Sequence, residues 1–160
     1  MGLDIYIEKI SDYRTDEQGR TTSTKTQLGN LHGCSNVLDE LNNSLEYGFG
    51  SGATYSFCEG KFLAIRRTLI ENLAMAEQKL ESNDFSGLHR FSDEDDEKFN
   101  KRNKEYIEDK IRQLKFEIKS LDEFFKENDI EIISDEELEE LIENGDEDCY
   151  GEEFEVSASW

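Results

Sequence analysis

Proline is absent from this 160-residue chain. That excludes proline-based linkers and leaves long helices free to run without interruption. No apolar run approaches the roughly 18 residues that a membrane span requires. The opening MGLDIYIEK also lacks the basic-then-apolar layout of a secretory leader, so the chain is expected in the cytoplasm of its host cell. Histidine occurs twice, at His32 and His89, which leaves few ordinary bases for nucleophilic catalysis. The three cysteines, Cys34, Cys58 and Cys149, are odd in number and widely spaced, a pattern of reduced, mostly buried thiols rather than a disulfide framework.

The scarcest feature is positive charge toward the end of the chain. Residues 131 to 160 contain 13 acids and no lysine or arginine, within a chain of 39 acids, 18 bases and formal net charge −21. Such a field repels nucleic acid and anionic membranes and attracts basic protein surfaces. Low hydropathy with high charge suggests disorder when apolar residues are scattered. Here they recur at regular spacing, and 160 residues suffice to bury roughly 70% of the unfolded surface in one domain.

That spacing predicts an α+β fold: a long antiparallel helical hairpin, with a small sheet joining the N- and C-terminal strands. Three regions are expected within a single domain over 1–160: strand, loop and short helix (1–60), helical hairpin (61–128), and an acidic strand-helix-strand segment (129–160). Leu3, Ile5 and Ile7 alternate with polar residues as in a half-buried strand. Residues 11–30 read as a mobile loop or loose hairpin. Leu31, Cys34, Leu38, Leu41 and Leu45 mark a short helix beginning near Asn30 or Ser35. Tyr55 and Phe57 suggest a second strand after the glycine-rich turn Gly48 to Gly52.

Phe62, Ile65, Leu69, Leu73, Ala76 and Leu80 form one helical seam, and Phe99, Ile107, Ile111, Leu114, Ile118, Leu121 and Phe125 form the next. Ser92 followed by Asp93, Glu94, Asp95 and Asp96 predicts the start of the second helix, which then runs about 50 Å to Glu127 at 1.5 Å per residue. Ile130, Ile132 and Ile133 read as a strand-like run. Ser134 and Glu137 form a capping box for a short helix that stops near Gly145. Phe154, Val156 and Ala158 alternate as a last strand, with Trp160 expected to pack on the sheet.

No residue set assembles recognisable catalysis, so a non-enzymatic role is expected. His32, Cys34, Cys58 and Cys149 lack the paired spacing of a zinc site, and the acids at 93–97 and 146–148 do not follow a calcium-loop pattern. Gly48 to Gly52 lacks the Lys-Ser/Thr of a phosphate loop. No cofactor and no metal are expected. Arg66, Arg67, Lys101, Arg102 and Lys104 make only local basic patches, so direct nucleic-acid binding is not expected.

The opening Met1-Gly-Leu-Asp-Ile-Tyr6 and the ending Glu153-Phe-Glu-Val-Ser-Ala-Ser-Trp160 resemble small phage and prophage proteins that begin MGLDMY and close on a Ser-Trp end. The Leu38 helix, the Gly48 to Gly52 turn and Tyr55 are similar in arrangement. The resemblance covers the termini and about a third of the chain; it implies phage association and transfers no catalytic residue. The leading expectation is a phage-encoded inhibitor of a host nucleic-acid-handling defence protein, of anti-CRISPR or anti-restriction type. It would present carboxylates where phosphates otherwise lie. The expected contact residues are Glu131, Asp135, Glu136, Glu137, Glu139, Glu140, Glu143, Asp146, Glu147, Asp148, Glu152, Glu153 and Glu155, with Asp93 to Glu97 as an extension. A general protein-binding or scaffold module with an acidic exterior is the alternative. A small-molecule enzyme with Tyr47, Tyr55 or His32 in a closed pocket is a further one.

Overall fold

Alternating apolar residues need a second layer to cover them, and in this protein the helices supply it. The computed structural model describes residues 2–160, in the order β1 (Asp4–Thr15), β2 (Thr21–His32), α1 (Ser35–Asn43), β3 (Thr54–Cys58), α2 (Glu59–Ser82), α3 (Asp96–Glu127), α4 (Asp135–Glu143) and β4 (Glu153–Ser159). The four strands form one antiparallel sheet in the order β2-β1-β4-β3. The expected α+β class is therefore observed, and the first and last strands pair side by side.

The register carries the core. Ile5 lies between Leu31 and Ala158, while Ile7 pairs with Val156, and all five are buried. Phe57 lies opposite Phe154. Since side chains alternate across a strand, these residues share the face covered by the helices. Phe62 and Phe124 extend the same core, each packing its ring within 6.2 Å of Phe154.

The helical hairpin is antiparallel, as its cross-links require: Arg66 meets Asp122 at 2.6 Å near one end and Lys115 meets Glu77 at 3.9 Å further along. The far end of α3 reaches the sheet, where the Asn128 side-chain amide donates to the Leu28 carbonyl at 3.1 Å. A Cβ on Gly29 would stand 2.9 Å from the Phe124 ring, so glycine permits that approach. At the hairpin tip a smaller core of Ala76, Phe85, Phe99, Ile107 and Ile111 forms separately.

Several local expectations need correction. Of the two readings of residues 11–30, the hairpin is observed and the loop is not: they belong to the paired strands β1 and β2, closed where Asp16 accepts from the Gln18 and Arg20 N–H groups at 2.9 and 2.8 Å. Leu31 belongs to β2, where it faces Ile5, and not to the following helix. Helix α3 begins at Asp96, because the carboxylate of Asp95, not the hydroxyl of Ser92, accepts the Lys98 N–H at 2.8 Å. Ile130 to Ile133 form no strand: Asp129 adopts φ 54° and the Ile130 N–H bonds back to the Phe125 carbonyl at 2.9 Å. Trp160 is 52% exposed and is not among the residues of the core. No helix among the described residues is long and apolar enough to cross a membrane.

Candidate acidic binding surface

The acidic segment is positioned by a few buried anchors. Ile130 enters the core after α3, and Leu138 fixes α4 against the first half of α2. Within α4, the Ser134 hydroxyl accepts the Glu137 N–H at 3.2 Å, as its place ahead of the helix predicts. Gly145 follows the helix with φ 71°, which glycine adopts without strain.

The chain then returns to the start of α2. The Glu59 N–H donates to the Glu152 carbonyl and the Gly60 N–H to the Tyr150 carbonyl, both at 3.0 Å. Helix α2 has no side-chain cap, so the acidic loop supplies backbone acceptors for its first orphan donors. The contact is close: a Cβ on Gly60 would lie 2.4 Å from the Glu147 carbonyl oxygen and 2.8 Å from the Tyr150 Cβ. Burial raises the Glu59 carboxyl above its ordinary value, since its charged form loses water there.

Of the thirteen expected contact acids, eleven are exposed; Glu147 and Glu155 are half-buried. They divide around α4. Glu137, Glu140 and Asp146 rim a cleft of 290 Å³ whose wall includes Ile133, Leu141 and Tyr150. None of these three carboxylates has an ion-pair partner among the described residues. On the other flank, Glu139, Glu143 and Glu147 line a cleft of 310 Å³ against Arg67 and Glu71 of α2. Arg67 stands 3.7 Å from Glu139 and donates to Glu71 at 3.1 Å, which partly neutralises that flank. One oxygen of Glu147 is buried without a hydrogen-bond partner among the described residues.

The remaining acids lie elsewhere. Glu131, Asp135 and Glu136 are exposed at the entry to α4, and Asp148 borders a small cavity with Lys61 and Cys58. Glu152 pairs with Lys9 at 3.0 Å. Glu153 and Glu155 are on β4, and Glu155 alternates with the buried Phe154 and Val156, so it projects from the uncovered face of the sheet. There it pairs in register with Glu8 and accepts from the Ser56 hydroxyl at 3.3 Å. The thirteen acids are thus not one continuous stripe.

The proposed extension at 93–97 is largely committed to the hairpin tip. Glu94 accepts from Arg102 and from the Phe91 N–H, Asp95 caps α3, and Asp96 binds Arg90 at 2.7 Å. Hydrogen bonding and charge from Arg102 lower the Glu94 carboxyl below its usual range.

The other weighed residues are dispersed. His32 is exposed and its Nδ1 lies 2.8 Å from Asp4. Cys34 is buried, while Cys149 is exposed on the acidic loop. No group of three or more His, Cys, Asp or Glu is arranged to hold a metal ion among the described residues. Gly48 and Gly52 adopt φ 74° and 78° as turn residues. Tyr47 is 94% exposed, and the Tyr55 hydroxyl accepts the Gly50 N–H at 3.0 Å, so Tyr47, Tyr55 and His32 do not converge on one pocket. Sequence reasoning missed the clefts beside α4. Their carboxylates were readable, but Tyr150 and Arg67 join them only through the return of the loop to α2.

Compared with family models, curated proteins and solved structures, the chain matches none.

Proposed function

We propose that this chain binds and inhibits a nucleic-acid-handling protein of host defence by occupying its basic surface with carboxylates in place of phosphates. One observation carries the reading: of the thirteen acids in residues 131–160, eleven are exposed, and among the described residues only Glu139 and Glu152 meet a base within 4.0 Å. Helix α4 alone holds six acids in nine residues. At 1.5 Å per residue it is about 13 Å long, a length over which duplex DNA displays about eight charges. The charge densities are comparable. The cleft of Glu137, Glu140 and Asp146, lined by no lysine or arginine among the described residues, suits an arginine or lysine of the partner, with Tyr150 and Leu141 beside its aliphatic stem. The resemblance of both termini to phage proteins supports the choice of a defence protein as target.

A second reading, a general protein-binding module, is favoured by Ile132 and Ile142, which are exposed among the acids. The two differ in salt dependence, because exposed charge is largely screened beyond about 10 Å at 0.1 M salt.

Capture from host lysate at 50 and 300 mM salt, followed by elution with duplex DNA or RNA, separates them. Mimicry expects a basic partner that is released by nucleic acid and lost from the E136K/E137K/E139K/E140K variant. Equal capture by that variant overturns mimicry, and salt-resistant capture that survives nucleic acid supports the general module.

A further inference from the structure

Helix α2 is covered by α4 along its first half only. Its second half, with the facing part of α3, leaves a groove of 180 Å³ bordered by Met75, Ala76 and Lys79 on one helix and Tyr106, Ile107 and Lys110 on the other. Both sets have the spacing i, i+1, i+4, so each helix offers two adjacent turns and the groove runs along the helix pair. Met75 and Tyr106 are 56% and 57% exposed. Ala76 and Ile107 belong to the small core under the floor.

We propose that this groove is the docking site for an acidic amphipathic helix of a partner protein. Charge is the first argument. In a chain of 39 acids and 18 bases, Lys79 and Lys110 both border this apolar groove, and neither lies within 4.0 Å of a carboxylate among the described residues. Two ammonium groups flanking an apolar strip select a ligand with carboxylates beside a hydrophobic anchor.

Size is the second argument. Pockets that enclose a drug-sized ligand measure about 300–1,000 Å³, whereas a dry cavity of about 150 Å³ accepts a benzene-sized group. The groove therefore holds one leucine- or phenylalanine-sized side chain, with the rest of the ligand lying along the helices. Helix α4 shows the same chemistry within the chain: its sequence DEELEELIE rests on α2 with Leu138 buried and Glu139 3.7 Å from Arg67. The bare half of α2 repeats that offer of apolar surface and positive charge. The inference is independent of the phosphate-mimicry reading, which uses different residues and the opposite sign of charge.

The test titrates isotope-labelled full-length protein with a capped synthetic peptide of residues 134–144, the acidic helix itself, and follows backbone amide shifts at 50 mM salt. Saturable shifts confined to residues 72–79 and 106–110, with affinity about tenfold weaker for the K79E/K110E variant, are expected. Shifts at residues 63–71 and 132–143 alone would mean exchange with the resident α4 and would overturn the proposal, as would no shifts. Sedimentation of the chain alone covers the second-copy case: a dimer lost in K79E/K110E assigns the groove to self-association and overturns a partner helix. Phenylacetate is the small-molecule control. Equal saturation by it at the same residues overturns the proposal in favour of a small-ligand site.

Discussion

The Oε1 atom of Glu117, about two thirds of the way along α3, accepts the backbone N–H of Val37 in α1 at 2.9 Å, across 80 positions of sequence. Glu117 is fully buried. Its other oxygen accepts from the side-chain amides of Asn36 and Gln113. Cys34, at the start of α1, provides no side-chain cap, so this distant carboxylate satisfies the helix N-terminus and meets its positive dipole end.

Replacing Glu117 with leucine leaves the Val37 N–H and the Asn36 amide without their acceptor. The expected loss is about 3 kcal/mol in urea unfolding, the scale of removing one partner from a buried charged network. Glu117→Gln keeps one acceptor oxygen and costs less. Equal stability of wild type and Glu117→Leu would contradict the assignment of this carboxylate as the α1 cap.

Gly60→Ala tests the junction of α2 with the acidic loop. The added methyl would meet backbone at Glu147, which cannot rotate away as a side-chain tip does. A loss of about 1–3 kcal/mol is expected, typical of overpacking. Hydrogen exchange at the Gly60 amide, bonded to the Tyr150 carbonyl, should accelerate more than exchange in the middle of α3.

The thiols should react unequally. Burial, reinforced by the charge of Glu117, pushes the Cys34 thiol up to about 12, and burial also raises Cys58, whereas Cys149 is exposed. At pH 8 only about one Cys34 side chain in 10⁴ would be thiolate, the reactive form. Brief treatment with iodoacetamide should modify Cys149 alone, with Cys34 and Cys58 following in denaturant. Fast labelling of Cys34 by peptide mass mapping would show that α1 opens readily.

At low pH, Asp4 should lose a native interaction. Hydrogen bonds from His32 first, then Asn30, hold its carboxyl below the ordinary value of 3.8. A lowered folded value means that the stabilisation is present above 3.8 and disappears as pH falls through the folded value. In His32→Ala the Asp4 midpoint should move up toward 3.8 in a carboxyl-carbon NMR titration. The stabilities of the two proteins should converge at acid pH and separate above it. An unmoved Asp4 midpoint would remove His32 as the cause.

Local chemistry made much of this protein readable in advance. Ile5 and Ile7, Phe154 and Val156, and the seams of α2 and α3 announce their elements because burying one face imposes a period of two or of 3.6. Ser134 marks α4 for the same local reason: its hydroxyl reaches an N–H only three residues away. The absence of bases after residue 130 likewise determined that the acids there depend on bases from elsewhere in the chain. Tertiary structure alone decided which acids received them, because Arg67 and Lys9 come from α2 and β1. It also decided what satisfies Glu117: the helical period already places position 117 on the buried face, three residues after Leu114 and four before Leu121, but Val37 and Asn36 reach it from α1, about 80 residues away. The split of the acidic surface had the same origin: α4 rests on the hairpin while β4 joins the sheet, and Glu155 follows the strand's alternation to the uncovered face.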